Sequence, residues 1–187
     1  MTKWYSLFSH TGRETAHIWF NHPDCIQPEL AITNNEHYAG PIPCMMCAKA
    51  DVINEWLVTP GLISPKSIIT LNGYMRILPK YVLDYLAEID CKVYNIHPAP
   101  IHMYPDLKGK DPQLRLYEGL KSGKYKFIGA VIHEVDAGVD TGKIVYSMHW
   151  MPSARERESV ASLFDTLHNA GTHMWRNFFE QELWLRG

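Results

Sequence analysis

The sequence predicts an α/β fold: a mainly parallel, doubly wound sheet completed by a long C-terminal helix. Three observations carry this expectation. Apolar, β-branched runs alternate with runs of helical spacing through the first two thirds of the chain, and Gly- or Pro-marked turns separate them. The last third holds Val160, Leu163, Phe164, Leu167, Met174, Trp175, Phe178 and Phe179 on one helical stripe. Such alternation is the pattern of a Rossmann-like sheet, in which ligands bind beyond the carboxyl ends of the strands.

Residues Lys3 to Phe8 read as a buried strand, handed by Ser9-His10-Thr11-Gly12 to a helix beginning near Arg13. Thr11 followed by Glu14 three residues on matches a capping box, in which each side chain satisfies a backbone donor at the helix start. A strand–turn–helix of this kind offers free N–H groups to an anion, so His10, Thr11, Gly12 and Arg13 are candidate substrate-binding residues. Leu30 to Asn34 is a second strand, and Asn35 to Pro43 a loop. Val52, Ile53, Trp56 and Leu57 place a helix from about Cys47 to Val58.

Ser67 to Leu71 suits a central strand, and Pro79 opens a helix that presents Val82, Tyr85, Leu86 and Ile89 on one face. Cys91 to Ile96 is the next strand, and Asp111 to Gly123 includes a short helix. Lys126 to His133 and Lys143 to Met148 are two further strands, joined by the loop Asp136 to Gly142. Gly171 sits within the final helix, where it kinks the helix or admits a neighbour. There is no repeat, low-complexity segment or dividing linker, so residues 1–187 are expected to form one domain.

The bulk numbers narrow the function. With 187 residues, 46% of them hydrophobic, the chain can bury a sizeable core. A formal charge of -2 gives no general surface for nucleic acid or anionic lipid, and small molecules are the expected partners. No window approaches the roughly 18 apolar residues that span a bilayer, and no charged leader precedes an apolar core, so the expected setting is cytoplasmic. Cys25, Cys44, Cys47 and Cys91 are too few for a disulfide framework. Cys44-Met45-Met46-Cys47 has the spacing of half a zinc knuckle, with Cys25, His22 and His37 as completing ligands, but it lacks a second pair and no metal is expected.

The chemistry concentrates in Lys92 to Pro100 and His133 to Gly142. On a strand, residues i and i+2 share a face, so Asn95 and His97 address one pocket while Ile96 packs behind them. Pro98 and Pro100 then end the ladder. An amide can stabilise an oxyanion, and an imidazole exchanges protons near neutral pH. A carboxylate to orient that imidazole can come from Asp136 or Asp140.

Asn95-Ile96-His97-Pro98, Asp136-Ala137-Gly138-Val139-Asp140-Thr141-Gly142 and Leu71-Asn72-Gly73-Tyr74-Met75-Arg76-Ile77-Leu78, in that family's order, resemble the folate-dependent formyltransferase superfamily. The resemblance covers Ser67 to Tyr146 well and the flanks loosely. It implies acyl transfer from 10-formyl-tetrahydrofolate to an amine, with Asn95 on the oxyanion, His97 in acid–base support and Asp140 positioning His97 and moving the proton. Tyr74, Met75, Arg76, Ile77 and Leu78 then resemble the wall around the pterin, with Val135, Asp136, Ala137 and Gly138 closing over it and Ile77 serving as packing. A late-helix residue holds the acceptor amine in the glycinamide enzyme of that superfamily, and Asp165 or His168 falls in that region.

The default acceptor so implied is glycinamide ribonucleotide, an amino-sugar nucleotide being the alternative. Hydrolysis of the donor and non-catalytic folate binding remain open, as does a homodimer. A transfer-RNA acceptor is discounted on charge, and because the chain ends about where a catalytic domain would.

Overall fold

The computed structural model describes residues 1–183; residues 184–187 of the expected unit lie outside them. Seven strands form one sheet: β1 (Thr2–Phe8), β2 (Ile26–Thr33), β3 (Cys44–Met46), β4 (Ile68–Leu71), β5 (Lys92–His97), β6 (Ile128–Glu134) and β7 (Ile144–Trp150). Their order is β3-β2-β1-β4-β5-β6-β7, parallel from β3 to β5 and antiparallel across β5–β6 and β6–β7. The order steps outward from β1 in both directions. The carboxyl ends of β1, β4 and β5 therefore meet at one edge, where such sheets bind ligands.

The helices are α1 (Arg13–Phe20), α2 (Ala50–Leu57), α3 (Lys80–Glu88), α4 (Pro112–Lys121), α5 (Ala154–Glu158) and α6 (Val160–Phe178). Strand alternation sorts the core into two faces. On one, Tyr5, Leu7, Ile32, Ile69, Leu71 and Val93 pack with Ile53 and Leu57 of α2 and with Val82 and Leu86 of α3. On the other, Trp4, Ile68, Tyr94 and Ile132 meet Ile18 of α1 and Met174, Trp175 and Phe178 of α6. A third cluster beside α4 joins Leu116 and Leu120 to Ala99, Leu107, Val131, Leu163 and Leu167.

A buried polar network fixes α1 to the sheet. Trp4 donates to the Thr70 hydroxyl at 2.9 Å, and the Asn72 amide reaches Ser6, Thr15 and Thr70 at 2.9, 3.1 and 3.1 Å. Ser6 and Thr15 share a further hydrogen bond of 2.7 Å. Buried hydroxyls left unpaired would be costly, so the pairing of Ser6, Thr15 and Thr70 specifies where α1 docks.

Two expectations are corrected. The helix after β1 is capped by Gly12, in the left-handed region at φ 61, with no side-chain cap; Glu14 turns instead to His168, so Thr11 and Glu14 form no capping box. The box occurs at Ser153 and Glu156, at the start of α5. Cys44 to Met46, to which the sequence assigned no element, forms an edge strand, because Ala31, Ile32 and Thr33 of β2 offer it a parallel partner. Ile77 is 70% exposed rather than packed, since it lies in the turn between β4 and α3.

Gly171 leaves α6 unbroken and admits a neighbour: a Cβ there would stand 3.2 Å from the Ile96 side chain.

Candidate active site

Parallel pairing of β4 with β5 sets Asn95 beside Leu71, and Asn95 and His97 share the Val93 face. Antiparallel pairing then sets His133 of β6 directly opposite Asn95. Both side chains project to one side, as register requires. The loop from Val135 to Lys143 leaves β6 with the Val135 amide bonded to the Val93 carbonyl at 2.9 Å, and it returns Asp140 over this row.

Asp140 is the centre of the cluster. One carboxylate oxygen lies 3.1 Å from His97 Nδ1 and accepts from the Gly109 amide at 2.8 Å. The other lies 3.3 Å from His133 Nε2 and 3.5 Å from Asn95 Nδ2. The outer ring nitrogens also face acceptors: His97 Nε2 meets the Leu107 carbonyl at 2.9 Å, and His133 Nδ1 meets the Glu134 carbonyl at 2.8 Å. Each imidazole therefore has an oxygen acceptor on both sides.

Burial works to raise the Asp140 carboxyl, but hydrogen bonds from His133 and His97 outweigh it and hold the group well below the usual carboxylate range. The backbone at Asp140 lies in the left-handed region, φ 52, which turns the side chain back toward β5. Asn95 Nδ2 is also 3.2 Å from His133 Nε2, so amide, carboxylate and two imidazoles form one contact network. This network can hold and pass a proton while an N–H of the amide faces developing negative charge.

Of the two aspartates weighed from sequence, Asp140 joins the imidazoles. Asp136 is exposed and braces its own loop, accepting from the Gly138 amide at 3.0 Å and the Thr141 hydroxyl at 2.7 Å. His133 was missed as a site residue. Its signal lay in the motif's first position, but using it requires knowing that β6 runs against β5.

The other expected residues divide into groups. Tyr74 and Leu78 belong to the buried core, while Met75, Arg76, Ile77, Ala137 and Gly138 are exposed along the β4–α3 and β6–β7 loops; Val135 is partly buried. The Tyr74 hydroxyl is buried with no hydrogen-bond partner among the described residues, and burial pushes its phenol up to about 12. Arg13 lies 3.7 Å from Asp165 and 3.3 Å from the Asn169 amide oxygen, so its charge is engaged with α6. His168 pairs with Glu14 on the α1–α6 face and is not among Asn95, His97 and Asp140.

Two clefts flank the β1–α1 turn. His10 and Thr11 line one of about 440 Å³ with Asn35, His37 and Tyr38; Thr11, Arg13, Glu14, Phe164, Asp165 and His168 line one of about 410 Å³. Gly12 itself packs on Phe8.

Cys44 packs with Phe8 and Ala31 on one face of the sheet, and Cys47 packs against the α2–α3 face, so the Cys-x-x-Cys sulfurs do not converge. Among the described residues no group of three or more His, Cys, Asp or Glu is arranged to hold a metal ion, and no helix is long and apolar enough to cross a membrane.

An amide and a carboxylate-bridged imidazole pair gather at the carboxyl edge of the sheet, where α/β proteins of this class bind ligands. The particular family is given by sequence. Residues 63–176 match the model described as formyl transferase, and the chain belongs to that family.

It is 32% identical over 120 residues to a methionyl-tRNA formyltransferase of Desulfotalea psychrophila, covering 64% of this chain and 33% of that protein. It is 35% identical over 109 residues to a phosphoribosylglycinamide formyltransferase of Dictyostelium discoideum, covering 52% of this chain and 50% of that protein. The chain thus spans between a third and a half of these relatives' lengths.

Among solved structures, glycinamide ribonucleotide transformylase 1 from Geobacillus kaustophilus superposes with a TM-score of 0.76 at 19% identity, covering 98% of this chain and 99% of that one. A phosphoribosylglycinamide formyltransferase from Anaplasma phagocytophilum gives 0.76 at 20% identity, covering 94% and 84%. At these identities the likeness is one of fold.

Proposed function

We propose that the chain transfers a formyl group from 10-formyl-tetrahydrofolate to the primary amine of a small acceptor, with glycinamide ribonucleotide the default. The observation that carries this is the convergence of Asn95, His97 and Asp140 at the carboxyl edge of the sheet. Family membership supplies the reaction class.

In this reading the neutral amine attacks the formyl carbon and the carbonyl electrons move to oxygen. Asn95 donates to that oxyanion, and His97, held between Asp140 and the Leu107 carbonyl, lends electrostatic support. The ammonium formed by attack releases its proton to the Asp140–imidazole network. Collapse of the intermediate expels the folate nitrogen, which takes up a proton, leaving the formamide and tetrahydrofolate. His133 shares the Asp140 carboxylate and joins the proton network. The exposed run Met75 to Ile77 and the loop from Val135 to Gly138 flank the donor, and the clefts beside Thr11 receive the acceptor. Residues 1–187 act as one catalytic unit in this reading.

Incubation of the chain with 10-formyl-tetrahydrofolate and a panel of amines tests it: glycinamide ribonucleotide, amino-sugar nucleotides and simple amines. A product one formyl group heavier than one of the amines is expected, with loss of transfer in His97→Ala. Formate release that is independent of every amine would replace transfer with hydrolysis. Transfer at full rate by His97→Ala would remove the site assignment.

A further inference from the structure

The loop 106–110 touches both members of the His97–Asp140 pair. Its Leu107 carbonyl receives His97 Nε2 at 2.9 Å, and its Gly109 amide donates to Asp140 at 2.8 Å. These are backbone groups, so their aim depends on how the loop is held. Gly109 lies at φ 82, a conformation with little intrinsic rigidity.

One side chain grips this loop. Arg115, in the first turns of α4, donates through Nη1 to the Asp106 carbonyl at 2.5 Å and through Nη2 to the Leu107 and Lys108 carbonyls at 3.2 and 2.6 Å. Its Nε reaches the Lys110 carbonyl at 3.0 Å. Four carbonyls of five consecutive residues thus converge on a single planar guanidinium, whose fixed fork determines their directions together. The Leu107 oxygen is shared between Arg115 and His97, so the cation and the imidazole meet at one atom.

The start of the loop has independent anchors. The Leu107 side chain is fully buried, and the Asp106 carboxylate accepts from Lys124 at 2.5 Å and Tyr125 at 2.6 Å. Lys108 to Lys110 has no comparable side-chain anchor among the described contacts; Arg115 and the Gly109–Asp140 hydrogen bond hold it.

We propose that Arg115 is a positioning residue for formyl transfer: through the carbonyls of loop 106–110 it sets the hydrogen bonds that align His97 and Asp140. Its hydrogen bonds go to loop carbonyls, and the inference rests on His97 and Asp140 being the acid–base pair. Loss of the fork frees the Leu107 carbonyl and the Gly109 amide to turn, and the His97–Asp140 alignment relaxes. A misplacement of about 1 Å at such a pair costs about 100-fold in rate.

The test compares the unaltered full chain with Arg115→Met, Arg115→Lys and Lys124→Ala, which loosens the Asp106 end alone. Steady-state transfer is read beside the ring N–H proton resonances of His97 in the substrate-free protein. Arg115→Met is expected to lower kcat about 100-fold with KM for donor and amine within about two-fold, and to broaden or lose the His97 ring N–H signal through faster exchange. Arg115→Lys, which restores charge without the fork, is expected to stay low; Lys124→Ala is expected to keep the signal.

Should Arg115→Met fail to fold, Arg115→Lys carries the same two readouts. An unchanged His97 ring signal in the folded variant overturns the positioning role whatever the activity, and so does recovery of full kcat by Arg115→Lys. Because the resonance needs no substrate, absence of transfer by the unaltered chain would sink the assigned reaction while the ring signal still decides the role of Arg115.

Discussion

Replacing Asp140 with Asn keeps the side chain's shape and removes its charge, the most direct perturbation of the site. Asp140 has four partners: His97 and Gly109 on one oxygen, His133 and Asn95 on the other. Asparagine retains one accepting oxygen, enough for Gly109 and His97. Its amide then points N–H toward His133 and Asn95, so two acceptor contacts are lost and the remaining imidazole contact is no longer charge-assisted. Hydrogen bonds to charged groups contribute about 1.5–3 kcal/mol each, against about 1 kcal/mol for neutral ones.

The rearranged His133 can still present an unprotonated Nε2 to the new amide, which recovers part of the loss. A net cost of about 2–3 kcal/mol follows, equivalent to roughly 4–12 °C in Tm for a chain of this size. Because the folded carboxyl is depressed, its stabilisation is complete above the ordinary value of 3.8 and is lost only as pH falls through the lower folded value. Thermal unfolding of both proteins from pH 8 to pH 3 should therefore show a gap that holds down to about pH 4 and only begins to narrow toward pH 3. Formyl transfer should fall about 10²- to 10⁴-fold. Equal Tm values at pH 7 would refute the reasoning, because a carboxylate between two imidazoles cannot then be stabilising the fold.

The Glu14–His168 pair latches α1 to α6 and should show a bounded pH window. The His168 imidazole is raised by its hydrogen bond to Glu14, so its contribution is full below 6.5 and fades as pH rises through its folded value; Glu14, buried but lowered by His168, contributes above 4.5 and fades as pH falls. His168→Ala is thus expected to cost about 1 kcal/mol or less, since His168 is 44% exposed. Denaturant titrations should find that cost greatest between those two pH values, and a cost that keeps growing toward pH 9 would contradict the pairing. Tyr74→Phe removes a buried hydroxyl that has no partner among the described residues, so Tm should stay level or rise by about 2–4 °C, equivalent to about 1 kcal/mol; a clear fall by calorimetry would show that the hydroxyl is bonded in the folded protein.

The parallel strands β1, β2, β4 and β5 were legible because each carries its own apolar run and each helix its own periodicity, whereas β3, with only Cys-Met-Met, is a strand because β2 pairs with it. Asn95 and His97 were legible for the same reason, since a period of two is a local property. What escaped depends on residues far apart in sequence. Glu14 looks like a capping residue until His168, 154 positions away, is brought to it by α6. His133 becomes a partner of Asp140 only because β6 reverses direction against β5. Cys44 and Cys47 look paired by spacing, yet sheet geometry assigns them to opposite faces. Ile77 has the composition of packing, but its turn carries it past the end of the core.

The left-handed backbone at Asp140 bears on how the position tolerates change. An alanine there would lose the carboxylate and also occupy a conformation that costs ordinary L-residues about 1–2 kcal/mol, so two unrelated losses would be read as one. Asparagine and glycine accept that conformation more readily. A saturation library at this codon, scored for folded yield, should therefore rank Asn and Gly above Ala, and Ala above Val and Ile. That order would come from the backbone alone, before any chemistry is measured.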